Sequence, residues 1–263
     1  MLDIVYCLQK HFEETTHLTK KPFRYRLIQR MGIMLLLCLP TFVHAQDTTH
    51  LMQSYIFFPY PIYGNKWHSS IGFTLTQMPQ DITEEVQVRA PAGDYHVTRK
   101  LYKGFYLDGR INFQILQNHF SAGPRWAYIL NRRFSFSVGD DFGWWFGNLN
   151  VGDFKTKANG WLNYPNASVG YRIRRSLLLT LKIEGTINLS YTAKVGDQVT
   201  TYSHNTYTGW ATSLILEQPF YKRNNFILGF KAQYTNFFWQ TWSLYETFDR
   251  KLFYPEVIIG FIL

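Results

Sequence analysis

A chain of 263 residues with 46 % hydrophobic residues, 18 % aromatic residues and a mean hydropathy of −0.20 has the length of one domain, and too little sustained apolar sequence for a helical membrane protein. Its net charge of +9 is scattered rather than gathered into a patch, which excludes a nucleic-acid-binding surface, so no nucleic-acid partner is expected. Both cysteines, Cys7 and Cys38, lie before residue 46, so the remainder is no small disulfide-stapled domain.

Residues 1–45 have the layout of a secretory signal peptide. Lys20, Lys21, Arg24, Arg26 and Arg30 make residues 20–30 a basic n-region without an acid. Residues 31–43 form the apolar h-region, and Val43-His44-Ala45 places cleavage after Ala45. The apolar run falls short of the roughly 20 residues a membrane-spanning helix needs. Leu37, just ahead of Cys38, departs from the small residue a lipoprotein signal requires. Cleavage leaves 218 residues (263 less 45) without cysteine. The leader removes six Lys/Arg and three Asp/Glu, so the mature charge falls from +9 to +6.

Residues 46–65, with Pro59 and Pro61, receive no assignment. From residue 66 onward the chain alternates apolar and polar residues with period two, the mark of strands with one apolar face. The first alternating stretch is 66–78, with Trp67, Ile71, Phe73 and Leu75 on one face. Residues 84–98 are a poor partner because Pro91-Ala92-Gly93 interrupts them. Strands follow at 101–117, 120–130, 134–146, 161–173, 177–191, 207–218, 226–238 and 251–263. The clearest is 177–191, where Leu177, Leu179, Leu181, Ile183 and Ile187 alternate with Thr180, Lys182, Glu184 and Thr186. Ordinary strands average five or six residues, whereas a strand tilted across a bilayer takes roughly 9–11. From Phe134 onward, short turns (131–133, 174–176, 221–225) alternate with long loops (147–160, 192–205, 239–250).

These features predict an all-β fold: an antiparallel transmembrane β-barrel over residues 66–263, of about ten strands, with eight and twelve as neighbouring counts. A soluble barrel also alternates, but with its apolar face inward. Strand length favours the membrane form. So does an aromatic girdle expected from Trp144, Trp145 and Trp161 at one outer loop and Phe238, Trp239 and Trp242 at another. In pattern, the leader plus residues 66–263 resemble the small outer-membrane β-barrel families, similar to outer membrane proteins A and X and their relatives in Bacteroidota-type bacteria. That resemblance implies a location in the bacterial outer membrane, with short turns periplasmic and long loops outside. It also implies lipopolysaccharide and phospholipid as lipid partners and insertion by the barrel assembly machinery. The family's C-terminal signal ends in an aromatic residue; here Phe261 has the right parity, and Leu263 departs from the pattern.

By parity, Asp108, Arg110, Asp141, Arg172, Lys182, Glu184 and Lys231 face the lumen. They are expected to pair into a structural network rather than line an open pore, since unpaired buried charges are costly and narrow barrels leave little lumen. No catalytic group, metal site or cofactor is expected. Ser203-His204 and His68-Ser69 are adjacent pairs, and the latter, on a strand, would point to opposite faces. The function expected is a structural or surface-interaction role through the long loops. The alternatives are a narrow channel for small solutes and a lipid-modifying enzyme.

Overall fold

The computed structural model describes residues 55–61, 67–79, 89–114, 117–151, 154–173, 177–195, 198–202, 206–220, 224–236 and 251–263. The expected leader with its cleavage point, loop 239–250, and Phe238, Trp239 and Trp242 lie outside the described residues.

The strands are β1 Trp67–Gln77, β2 Arg89–Tyr102, β3 Phe105–Gln114, β4 Gln117–Ile129, β5 Phe134–Val151, β6 Phe154–Arg172, β7 Leu178–Val195, β8 Gln198–Tyr202, β9 Thr206–Phe220, β10 Asn224–Thr235 and β11 Leu252–Ile262. All pair antiparallel, neighbours in sequence with one another except that β9 pairs with β7 rather than β8, and β1 pairs with β11 across the seam. The pairing of β6 with β7 completes a ring of ten, which β8 does not enter because it pairs with the far end of β7 while β9 takes the near part. At the seam, Ile71 faces Phe261 and Phe73 faces Ile259, and the Leu263 amide donates to the Ser69 carbonyl at 2.9 Å.

The barrel is inside out relative to a soluble protein. Outward positions carry Phe73, Phe142, Ile183, Phe230 and Phe261, each 43–53 % exposed. Inward positions carry Thr74, Ser137, Thr180, Ser213 and Glu256, all nearly fully buried. So much contiguous exposed apolar surface is tolerable only against lipid. From Phe134 to Trp144 this belt spans eleven residues of β5, about 26 Å for a strand tilted ~40°, which matches a hydrocarbon core.

Several boundaries differ from the sequence reading. Residues 101–117 are not one strand: β2 runs on to Tyr102, and β3 starts at Phe105 after the two-residue turn Lys103-Gly104. Gly104 has φ +78°, where a side chain is strained, and a Cβ there would stand 2.8 Å from the Ala127 carbonyl oxygen. Pro91 is tolerated because it sits at the end of β2, opposite Leu75 and beyond the last pair with β3, Ala92 with Gln114. Residues 147–160 and 192–205, expected as loops, are largely strand. The β5–β6 ladder continues to Val151 opposite Phe154, and β7 continues to Val195 and then pairs with β8. Their Asn, Gly and Lys content reads as loop, yet the alternation persists through it. A bulge places Trp161 opposite Ser190 and Leu162 opposite Asn188, so Leu189 is extra and the parity of β7 reverses beyond it.

The belt makes a depth-dependent prediction. Ile183→Arg, near its middle, is expected to cost about 2–4 kcal/mol of folding free energy in lipid vesicles, and Asn159→Arg, above the Trp144–Trp161 pair, about 0–1. Denaturant titration followed by tryptophan fluorescence measures both. Equal costs would mean that the apolar face is not in lipid.

Candidate functional site

Strand parity sends one side chain in two into the lumen, and here most of those are polar. Asp94 lies at the centre of one group. Its carboxylate accepts from Arg110 Nε at 2.8 Å, pairs with His96 Nε2 at 2.8 Å and accepts from Asn112 Nδ2 at 3.4 Å. Asp108 pairs with Arg125 Nε at 2.9 Å and accepts from Thr98 Oγ1 at 2.8 Å. Glu184 lies between two lysines: Lys182 Nζ is 3.2 Å away along the same strand, and Lys231 Nζ donates to it from two strands across. Asp141 accepts from Asn166 at 3.1 Å, and Glu256 from Thr76 Oγ1 at 2.8 Å. Each of these lumen carboxylates therefore meets a cation or at least one hydrogen-bond donor, as burial of charge requires. Between these groups lies a cavity of about 110 Å³.

One end of that space is closed by residues 55–61, an irregular segment outside the sheet. Glu217 of β9 points inward and accepts three successive backbone amides, from Ile56 at 2.9 Å, Phe57 at 3.3 Å and Phe58 at 2.7 Å. Arg125 Nη1 donates to the Ile56 carbonyl at 3.1 Å. Tyr55, Phe58 and Tyr60 pack with the wall residues Tyr106, Ala127 and Leu178, and Ile56 packs with Ile215, Ile227 and Ile262. The Arg172 guanidinium lies 4.9 Å above the Tyr60 ring. The Phe57 ring meets His96 edge-on at 4.6 Å, which joins the segment to the charged group above it.

The seven charged residues read from parity all face inward. Six line the open space, and Arg172 lies at the closed end against Tyr60. Asp94, His96, Arg125, Glu217 and Glu256 were missed, although the parity rule applied to β2, β4, β9 and β11 finds every one. Segment 55–61 had no such signal, because its partners are dispersed over the wall. Trp144 and Trp161 face outward as girdle residues do, 38 % and 53 % exposed, with ring centroids 6.4 Å apart. Trp145 does not join them. As the next residue after Trp144 it must point the other way, and it is fully buried with Ala158, Leu162 and Ala193.

No family model and no curated protein matches this chain. Among solved structures it is similar to Neisserial surface protein A, at 9 % identity over 76 % of this chain and 97 % of that one, with a TM-score of 0.39. The outer membrane protease OmpT from Escherichia coli matches at 7 % identity over 80 % and 96 %, with a TM-score of 0.41. The attachment invasion locus protein Ail of Yersinia pestis matches at 11 % identity over 75 % and 97 %, with a TM-score of 0.33. Likeness at this level transfers no activity from any of the three.

The Glu184 group predicts non-additive energetics. Lys231→Met alone leaves Glu184 short of one partner and is expected to cost about 3 kcal/mol; adding Glu184→Gln should recover much of that loss. Equilibrium unfolding of the two single variants and the double variant measures the coupling. Strictly additive losses would show that the two groups do not depend on each other.

Proposed function

We propose that this chain is a bacterial outer-membrane protein whose barrel is a closed anchor and whose working surface is the sheet raised by β5–β8. The observation that carries this reading is the one-sided extension of the wall. Strands β5, β6 and β7 have 18, 19 and 18 residues, whereas β1, β3, β10 and β11 have 10–12. Beyond Trp144, seven further residues of β5 carry the sheet about 18 Å above the girdle. Such a ladder is a rigid platform, and rigid scaffolds position binding surfaces better than free loops do. The plugged lumen supports an anchor over an open channel. The leader at residues 1–45 supports export.

The same surface fits its lipids. Lys155, Lys157 and Lys194 are exposed on the outer face above Trp161, and Lys157 stands directly opposite Lys194. Like charges paired across strands are unfavourable unless something anionic lies against them, and lipopolysaccharide phosphates suit that height. At the other rim, exposed Arg132 and Arg133 suit phospholipid headgroups, at about 1 kcal/mol per charge. Insertion is proposed to use the barrel assembly machinery, with Phe261 on the lipid-facing side of the last strand.

Trimming the raised hairpin tests the reading. A chain lacking residues 149–156 should still reach the outer membrane and keep its unboiled electrophoretic mobility. Cells displaying it should lose attachment to polysaccharide- or protein-coated surfaces relative to cells displaying the intact chain. Unchanged attachment would refute a surface-interaction role for this sheet.

A further inference from the structure

Ten strands at ~4.8 Å spacing and ~40° tilt enclose a backbone radius of about 10 Å, more than the eight-stranded case that side chains alone can fill. Here the additional width is taken up at one end by residues 55–61, and the wall is shaped to receive them. Gly170 is the notch: a Cβ there would stand 2.6 Å from Phe58 Cε2 and 2.7 Å from the Pro59 ring. Glu217 is the latch, with its carboxylate on three consecutive amides of the segment. These contacts and the Arg125 bond to the Ile56 carbonyl are made by wall side chains, while the ladder is complete without the segment. At Glu217 itself, β9 pairs with Leu178 on one side and Ile227 on the other. Withdrawing residues 55–61 therefore breaks no strand pairing. What it uncovers is continuous with a lumen already lined by charged and polar groups, among them Arg110, Asp141, Lys182 and Glu184.

We infer that residues 55–61 are a releasable plug, and that the barrel without them is a pore for small hydrated solutes. This activity is separate from the surface role proposed above and does not depend on it. Hydrated ions are the natural probe, since the lining presents both signs of charge and no apolar constriction is needed to admit them.

The test is single-channel recording in planar bilayers in potassium chloride, on the full-length protein and three variants. Gly170→Leu fills the notch, Glu217→Gln weakens the latch, and the third variant lacks residues 55–61. Heat-dependent electrophoretic mobility selects the folded fraction of each. The intact protein should be silent or open rarely. Folded variants should show discrete steps with open probability raised roughly tenfold or more, the deletion most. Silence from the folded deletion variant would overturn the proposal, as would an intact protein that conducts as freely as the deletion. If none of the three variants folds, the segment is part of the barrel's folding core and the proposal also fails.

Discussion

Closure of the backbone ladder governs this structure from end to end. A sheet in hydrocarbon has no water to satisfy a free edge, so each strand must find a partner on both sides. This chain meets the requirement twice at non-trivial places. The first strand meets the last, with Gly72 opposite Gly260 at the seam, and β7 lies between β6 and β9, while its far end, still paired with β6, has β8 on its other side. Given closure, parity does the rest: alternate residues must suit lipid, and those between them must suit one another.

Closure at ten strands rather than eight creates the second problem. A wider ring encloses more than its own side chains can fill, and filling it with apolar groups would leave the alternation without a polar face. The structure divides the interior. One part holds ion pairs built on Asp94, Asp108 and Glu184, each carboxylate shared between at least two donors. The other holds residues 55–61, three of whose backbone amides are satisfied by Glu217. The same need to satisfy buried polar groups thus shapes both halves, and the Phe57–His96 contact is where they meet.

Much of the fold was legible because strand parity is a local property. All seven lumen charges and the outward Trp144 and Trp161 follow from counting by twos. The errors have physical causes. Trp145 was grouped with its neighbour by composition, against the alternation that turns it inward. Residues 147–160 look like a loop, since Asn, Gly and Lys are turn-formers, but ladder pairing overrides that propensity. The Lys103-Gly104 turn was passed over because two residues interrupt the alternation so briefly. The role of residues 55–61 was not legible at all: Glu217 is 159 residues away in sequence from Phe58, and nothing in either stretch announces the other. Contacts of that kind are properties of the closed barrel, not of any segment.

Amide hydrogen exchange in lipid vesicles tests closure most directly. In a closed ring the first and last strands are interior strands, so the amides of Ile71–Leu75 and Ile258–Phe261 should be as protected as those of Phe136–Phe142 in β5. Rapid exchange confined to β1 and β11 would show a free edge at the seam and contradict the account.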